Sequence, residues 1–440
     1  MLKIVYLKLD TPCTLTESAM RVPTAEPINF AKAFIEANKT ESVDICMLGL
    51  ENKQIEYGDF GTIRTVAYFG DPRSIKDEFD ENAIVILHQG RHIIGTSIPT
   101  MPNTIGSKMA LTCPYQAGDY ERLSLVKTWQ VQMYNLISSA VVPENCKKYF
   151  LVTDLRLPLL DLHKVDPVAV PKPLPKDIIL LTQAKYHKEY SAWQEKWCNG
   201  MLFSEINISD YMYHFKKSMY LPMHILPLMS HSQFCKPIEQ KTMPAIFQVQ
   251  SIRYVDDYRK KMLSKAIKFV KGHCTLHGRF RSEERGIVVA TFPEYADMLL
   301  EHVIDNSNNP AECFFDSAKI LADHQASLII TDQRYARFGL CPNRFVEALA
   351  VNTVPLVVDG VMDYCDDTLH EVMNYLDIRP DLTVVKQTGD INMPYEFEYY
   401  DVNGSKIDKV LLQSNMKQCR DILLKQLMTA MADFAYATVE

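Results

Sequence analysis

Short apolar segments alternate with longer amphipathic segments along almost the whole chain of 440 residues. The apolar segments that indicate strands are residues 3–9, 44–48, 83–87, 149–153, 178–182, 245–250, 274–277, 327–331 and 354–358. Apolar residues at helical spacing cover 28–38, 121–140, 257–270, 342–350 and about 406–436. Strands that alternate with helices pair in parallel, so the pattern predicts an α/β protein with mostly parallel sheets.

The alternation comes in two parts. Prolines between positions 158 and 175 interrupt the first part, as in a loop at a sheet edge or a rigid connector. A second series of strands and helices begins near Ala245. We therefore expect two open α/β halves of similar size with a cleft between them, and ligands at the carboxyl ends of the strands.

Composition excludes several other classes of protein. Apolar residues make up 47% of the chain and charged residues 23%, which is typical of a soluble globular protein and not of a disordered one. No apolar run approaches the ~18 residues of a membrane span, and lysines interrupt the apolar residues at the start of the chain. The eleven cysteines are scattered, which favours buried reduced thiols. We expect a cytoplasmic protein.

The charge is distributed unevenly. The formal net charge of −7 argues against a protein that coats nucleic acid non-specifically. Residues 251–285 contain ten Lys or Arg and four Asp or Glu, a net of +6, so the rest of the chain carries −13. This segment is suited to hold an anionic ligand.

A carboxylate directly follows the predicted strand 149–153. Asp154 and Arg156 lie between that strand and Pro158. Open α/β folds place catalytic groups at the carboxyl ends of strands. An aspartate at such a position also commonly caps the turn after a strand, so both roles stay open from the residues alone.

Two arginines flank the predicted start of helix 257–270. Ser251 and Arg253 follow strand 245–250, and Arg259 lies in the first turn of the helix. Backbone N–H groups at a helix N-terminus and guanidinium groups both suit a diphosphate. The chain has neither a P-loop nor a Gly-x-Gly-x-x-Gly signature, so a standard NTPase or dinucleotide site is not supported. The alternative is a solvent-exposed basic helix face.

A third polar group surrounds the predicted helix 342–350. Arg344 and Glu347 are three residues apart and share one face of that helix, and Tyr335 precedes it. A carboxylate there can accept both ribose hydroxyls of a nucleotide while the arginine reaches a phosphate. Such a pair is usually only surface charge, but its place between two predicted strands favours a nucleotide site.

Taken together, these segments resemble the phage DNA β-glucosyltransferase family. Its members have the two-domain GT-B fold and transfer a sugar from a UDP-sugar to hydroxymethylated cytosine in duplex DNA. The run Phe-Leu-Val-Thr-Asp-Leu-Arg-Leu-Pro at 150–158 is similar to the family's catalytic segment, which implies that Asp154 is the base. The run Val-Pro-Thr-Ala-Glu at 22–26 is similar to Val-Pro-Ser-Ser-Glu, whose glutamate handles the donor sugar, and therefore points to Glu26.

The resemblance extends to the nucleotide-binding residues. The Gln-Ser-Ile-Arg run at 250–253 is similar to the family's Gly-Ser-Phe-Arg turn, although Val249 and Gln250 replace its paired glycines. The implied UDP-binding set is Ser251, Arg253, Arg259, Ile320, Tyr335, Arg344 and Glu347. An alternative alignment places the phosphate arginines at Arg281 and Arg285. We prefer the first alignment because it leaves no strand–helix unit unaccounted for.

The resemblance implies two Rossmann-like parallel-sheet domains with a deep interdomain cleft. Residues 1–240 would bind DNA as the acceptor domain, residues 241–405 would bind the UDP-sugar, and the helix in 406–440 would pack back across the junction. The implied reaction is direct displacement at the anomeric carbon of glucose or a pentose such as arabinose, on a base flipped out of the duplex. Mg²⁺ or Mn²⁺ is an optional aid to the departure of UDP.

Two other functions stay open. The first is a glycosyltransferase for a small-molecule, glycan or protein acceptor, which the acidity of the chain favours. The second is an inactive GT-B-like module that binds a nucleotide. In each case we expect a monomer that does not bind membranes and, if phage-encoded, lies in the host cytoplasm.

Overall fold

A computed structural model describes the following residues: 1–8, 12–15, 22–88, 129, 132–133, 135–137, 139–152, 199–203, 218–252, 255, 257–306, 314–330, 343–357, 384–386, 396–400 and 405–439. The chain forms two compact units. The first comprises Met1–Leu226 and Gln426–Glu440, and the second comprises Pro227–Lys425. Each unit is built on its own largely parallel sheet, so the predicted α/β class with two Rossmann-like sheets is confirmed.

The first unit contains an eight-stranded sheet with the order β3-β4-β2-β1-β5-β6-β7-β8. Its strands are β1 (Leu2–Lys8), β2 (Val43–Gly49), β3 (Lys53–Tyr57), β4 (Gly61–Ala67), β5 (Ile84–His88), β6 (Lys147–Val152), β7 (Gly200–Phe203) and β8 (Ser218–Tyr220). All neighbours are parallel except β3 and β4, which form an antiparallel hairpin at one edge. The centre of β1 is buried completely, as expected for a parallel strand covered on both faces.

Helix α1 (Val22–Ala37) connects β1 to β2. The ring of Phe30 lies 5.2 Å from that of Tyr6 in β1, so the helix packs its apolar side against the sheet. The helix begins six residues earlier than the sequence pattern predicts. Pro23 falls in the first turn, where a missing N–H breaks no intrahelical bond, and the helix continues through Pro27.

The second unit contains a five-stranded parallel sheet with the order β11-β10-β9-β12-β13. The strands are β9 (Met243–Ser251), β10 (Cys274–Arg279), β11 (Val303–Asp305), β12 (His324–Ile329) and β13 (Val354–Val357). The helices are α2 (Pro227–His231), α3 (Asp257–Phe269), α4 (Ser282–Thr291), α5 (Ala296–Glu301), α6 (Phe314–Ala322) and α7 (Asn343–Ala350). The strands and helices predicted in this half are confirmed to within a few residues.

Three short strands and a long helix complete the described chain. Strands β14 (Val384–Lys386), β15 (Glu396–Tyr400) and β16 (Lys406–Ile407) form an antiparallel sheet. The predicted last helix is confirmed as α8 (Lys409–Val439). Its residues from Gln426 onward belong to the first unit, where the ring of Phe434 lies 5.1 Å from that of Tyr149 in β6.

Each parallel sheet has a point where the order of its strands reverses. In the first sheet, β2 lies on one side of β1 and β5 on the other; in the second, β10 lies on one side of β9 and β12 on the other. The crevice outside the carboxyl ends of the strands at such a switch point is where open α/β sheets bind ligands. The topology therefore marks the ends of β1 and β5, and of β9 and β12, as candidate sites.

Several predictions concern parts of the chain outside the described residues. They include the strand at 178–182 and the proline-rich stretch, and the deep interdomain cleft also stays a prediction. Within the predicted helix 121–140, Trp129, Met133, Leu136 and Ile137 are helical and buried, which confirms their role in the core. Of the helices that the structure describes, none combines the length and apolarity of a membrane span.

Candidate functional site

Arg259 lies at the switch point of the second sheet. It belongs to the first turn of α3, which follows β9. Its Nη2 donates to the carbonyl oxygen of Ile330 at 3.4 Å, and Ile330 directly follows β12. The guanidinium group therefore lies beside the carboxyl end of β12, next to the start of a helix whose dipole also attracts anions.

Arg344 and Glu347 form an ion pair in the first turns of α7. Arg344 Nη1 donates to Glu347 Oε2 at 2.6 Å, as their spacing on one helix face allows. The arginine side chain is 42% exposed, whereas that of the glutamate is only 7% exposed. The carboxylate is thus fixed within the protein while the guanidinium group remains accessible to an anion.

Gln248 connects this ion pair to the sheet. It lies near the carboxyl end of β9, and its Oε1 accepts a hydrogen bond from Arg344 Nη1 at 3.1 Å. Its Nε2 lies 3.1 Å from His277 Nδ1 in β10 and donates to Ser317 Oγ in α6 at 3.1 Å. One amide therefore joins two strands and two helices around the switch point.

A buried histidine lies close to the ion pair. His231 ends α2, which packs against α7, and its Nδ1 lies 3.1 Å from Ser230 Oγ. Burial lowers the pKa of His231 to about 4; the nearby Glu347 charge raises that pKa, and the Arg344 charge lowers it further. His231 is therefore neutral near pH 7 and adds no charge to the site.

The other predicted nucleotide-binding residues are more scattered. Ser251 ends β9 and pairs in register with Arg279 of β10. Ile320 lies in α6 and packs against a hydrophobic cluster that includes Ile246 and Ala348. Among the described residues, the cluster around Ile320 does not include Arg344 or Glu347. Arg253 and Tyr335 lie outside the described residues.

The alternative phosphate arginines lie on the other side of β9. Arg281 immediately precedes α4, which follows β10, and Arg285 Nε donates to the carbonyl oxygen of Phe280 at 3.2 Å. Both residues belong to the carboxyl end of β10, whereas Arg259 contacts the end of β12. The topology therefore favours Arg259 as a ligand of an anion at the switch point.

The first unit also has a polar cluster at its switch point. Lys8 ends β1 and is buried, and its Nζ lies 3.7 Å from Glu26 Oε2 at the start of α1. His88 ends β5 as the register partner of Lys8, and its Nδ1 lies 2.8 Å from the hydroxyl of Tyr6. Trp129 Nε1 donates to the carbonyl oxygen of Lys8 at 2.8 Å. Glu26 is thus paired with a buried lysine at the carboxyl end of β1, where the strand order of the first sheet reverses.

The predicted base, Asp154, lies outside the described residues. The described part of the preceding strand, β6, ends at Val152 and pairs in parallel with β5. In the part of the chain that the structure describes, no group of three or more His, Cys, Asp or Glu side chains could hold a metal ion.

Sequence reasoning missed Gln248, His277, Ser317 and His231. Two of them give a usable signal, because Gln248 and His277 are polar residues near the carboxyl ends of otherwise buried strands. Burying a polar side chain is costly unless it is hydrogen-bonded, so such residues point to a network. The contact with Ser317, 69 residues away along the chain, has no signal in the sequence.

Comparison with known proteins gives matches to solved structures only. No protein-family model and no curated protein matches the chain. It is similar to T4 phage BGT in complex with UDP and Mn²⁺, with 16% identity, 99% of this chain and 95% of that chain covered, and a TM-score of 0.41. It is also similar to an alpha-glucosyltransferase in complex with UDP-glucose and DNA containing an abasic site. The identity is 9%, 99% of this chain and 95% of that chain are covered, and the TM-score is 0.44. A third is the alpha,alpha-trehalose 6-phosphate synthase from Burkholderia multivorans, with 9% identity, 99% and 96% coverage and a TM-score of 0.43.

Proposed function

We propose that the chain is a GT-B glycosyltransferase that uses a UDP-sugar and binds the nucleotide at the switch point of its second sheet. The observation that carries this proposal is the Arg344–Glu347 pair, in which an accessible guanidinium group lies beside a buried carboxylate. Arg259 adds a second guanidinium group at the end of the neighbouring strand. Cations for a diphosphate and a carboxylate for ribose hydroxyls are what a nucleoside diphosphate requires.

Each residue has a role in this proposal. Arg259 and Arg344, together with Arg253, neutralise the charge that develops on the diphosphate as UDP departs. Glu347 accepts the ribose hydroxyls. Ser251, Ile320 and Tyr335 complete the UDP-binding set that the family resemblance implies.

The reaction is a direct displacement. The acceptor hydroxyl attacks the anomeric carbon as the bond from that carbon to the diphosphate oxygen breaks, and Asp154 takes the hydroxyl proton. A positioned base of this kind typically contributes ~10²–10⁴-fold to the rate. Glu26, held by Lys8 at 3.7 Å, orients the donor sugar through its hydroxyls.

The proposed acceptor is the hydroxymethyl group of 5-hydroxymethylcytosine in duplex DNA, bound by residues 1–240, while residues 241–405 bind the donor. The family resemblance of the segments at 22–26 and 150–158 supports this acceptor. A base within the duplex is out of reach, so the enzyme flips it, at a cost of ~a few kcal/mol. The sugar is glucose or a pentose such as arabinose.

Mg²⁺ or Mn²⁺ would help the diphosphate leave. Because the described residues include no side-chain cluster fit for a metal, we assign no ligand and no step to the ion. The neutralisation of the leaving group is assigned to the arginines alone.

A second candidate function is transfer to a small-molecule, glycan or protein acceptor. The formal net charge of −7 favours it, because an acidic surface repels DNA. An inactive nucleotide-binding module would keep UDP affinity without transfer.

The decisive experiment supplies acceptor and donor together. Duplexes with cytosine, 5-hydroxymethylcytosine or 5-hydroxymethyluracil are incubated with a panel of UDP-sugars, and the nucleosides are analysed by mass spectrometry. We expect a hexosyl or pentosyl mass increment on 5-hydroxymethylcytosine only, and Asp154→Asn should form this product more slowly by ~10²-fold or more. UDP-sugar binding without any DNA product would favour the second candidate, and UDP-sugar hydrolysis without an acceptor would identify an active enzyme that lacks its substrate.

A further inference from the structure

We propose that Gln248 is a positioning residue that presets the Arg344 guanidinium group for the donor diphosphate, through hydrogen bonds that continue to His277 and Ser317. The proposal rests on the UDP-binding function proposed above, and it assigns to Gln248 an effect that passes through Arg344. Its basis is a chain of two contacts. Arg344 Nη1 donates to Gln248 Oε1 at 3.1 Å, and Gln248 Nε2 lies 3.1 Å from His277 Nδ1.

The orientation of the Gln248 amide follows from its partners. Arginine has only hydrogen-bond donors, so the side-chain oxygen of Gln248 must face Arg344. The amide nitrogen then faces His277 Nδ1 and the Ser317 hydroxyl. Since that nitrogen is a donor, His277 Nδ1 must accept, and the proton of the neutral imidazole lies on Nε2.

The contacts hold one end of the guanidinium group and leave the other accessible. Nη1 donates both to Gln248 Oε1 at 3.1 Å and to Glu347 Oε2 at 2.6 Å, and both acceptors belong to buried residues. In the part of the chain that the structure describes, no hydrogen bond engages Nε or Nη2 of Arg344. A free arginine loses rotamer freedom when it binds a phosphate, so an arginine fixed in advance binds more tightly.

Titration calorimetry with UDP tests the proposal on Gln248→Leu. We expect the affinity for UDP to fall roughly 3–10-fold, the usual effect of one lost hydrogen bond. In the double variant with Arg344→Ala, Gln248→Leu should add nothing to the loss caused by Arg344→Ala, because its effect passes through that arginine. A purely structural role would give additive losses.

Gln325→Leu is the matched control. Gln325 is an equally buried glutamine of the same sheet, and it hydrogen-bonds to the Lys241 carbonyl oxygen and the Phe397 N–H at the opposite end of β12. This variant should lose stability and keep its UDP affinity. If Gln325→Leu weakens UDP as much as Gln248→Leu does, the positioning role is overturned.

A second readout does not depend on UDP. In the parent protein, ¹⁵N NMR of labelled histidine should show an unprotonated Nδ1 at His277. Gln248→Glu keeps the size of the side chain but places an oxygen opposite Nδ1, so Nδ1 should become protonated. A protonated Nδ1 in the parent, or no change in the variant, overturns the proposed network even if Gln248→Leu does not fold.

The two proposals can fail separately. If the parent binds UDP and Gln248→Leu binds it equally well, the positioning role is wrong and the nucleotide site stands. If the parent does not bind UDP, the donor function is wrong, and the positioning role for a diphosphate falls with it. In that case the NMR result decides only whether the Gln248 network itself exists.

Discussion

Arg344→Ala tests the assignment of the nucleotide site most directly. The guanidinium group has one nitrogen bound to Gln248 and Glu347, and 42% of the side chain is exposed and available to a ligand. A charge-assisted hydrogen bond contributes ~1.5–3 kcal/mol, so the affinity for UDP should fall roughly 10–150-fold. Arg344→Ala also leaves the buried carboxylate of Glu347 without this partner, so the variant should lose ~1–3 kcal/mol of stability as well.

The assay is titration calorimetry with ligands that lack one group at a time. Arg344→Ala should weaken the binding of UDP and leave the affinity for uridine unchanged, since the arginine is assigned to the phosphates. Glu347→Gln should weaken the binding of both UDP and uridine. It should have no effect on the binding of 2′,3′-dideoxyuridine, which lacks the ribose hydroxyls whose hydrogen bonds the carboxylate would accept. Each variant is thus checked by the ligand that lacks its partner.

Lys319→Ala provides the matched control. Lys319 forms an i,i+3 ion pair with Asp316 on the neighbouring helix α6, at 3.6 Å, and the side chains of both residues are more than half exposed. Removing this cation changes the net charge as Arg344→Ala does and should not alter UDP binding. If Arg344→Ala weakens the binding of UDP and of uridine equally, the assignment of the arginine to the phosphates is refuted. If Lys319→Ala weakens UDP binding as much as Arg344→Ala does, only the overall charge matters.

Three further predictions address other parts of the molecule. Asp154→Asn should lower the rate of single-turnover transfer by ~10²-fold or more, while UDP-sugar affinity and melting temperature stay constant. A nearly unchanged rate would show that Asp154 only caps the turn after its strand. The chain outside 251–285 carries a net charge of −13, so DNA binding should depend on contacts with only a handful of phosphates. The affinity for duplex DNA should therefore fall along a shallow slope as the salt concentration rises. If no binding is detected at low salt, a small acceptor is favoured. Arg64 bonds Asp44 at 2.9 Å and Glu78 at 2.5 Å. Burial alone would raise the pKa of Glu78, but the hydrogen bond and charge of Arg64 lower it below its usual value. This contribution to stability is present above about pH 4.3 and is lost as the pH falls through the folded pKa of Glu78. In denaturant unfolding, Arg64→Met should therefore be less stable than the parent by ~1–3 kcal/mol at pH 7. The difference in stability between the two proteins should disappear in acid.

The central strands could be predicted because both of their faces are buried. The centres of β1 and β9 are buried, at residues 4–7 and 245–247, so each strand contains a short run of apolar residues. Strand β3 could not be predicted in this way. Its residues Lys53–Tyr57 are mostly exposed, and the strand exists because it pairs with β4 at an edge. Pairing of this kind depends on a neighbour that local composition does not reveal.

The site was predictable only where its residues are close in sequence. Arg344 and Glu347 are three apart, so helix geometry alone brings them together. Gln248 is 96 residues from Arg344 and 29 from His277, and only the parallel sheet aligns them. Local spacing therefore predicted the ion pair, whereas the group that orients it required the topology.

The two switch points have ion pairs of opposite polarity. In the first unit the cation is the buried partner, since Lys8 is 1% exposed and Glu26 is 17% exposed. In the second unit the carboxylate is buried and Arg344 is accessible. A ligand at the first edge thus meets a carboxylate, which accepts hydrogen bonds from neutral hydroxyls, whereas a ligand at the second meets a guanidinium group, which binds phosphate. The hydrogen-bonding role proposed for Glu26 and the phosphate-binding role proposed for Arg344 therefore each follow from the polarity of the ion pair in their own unit.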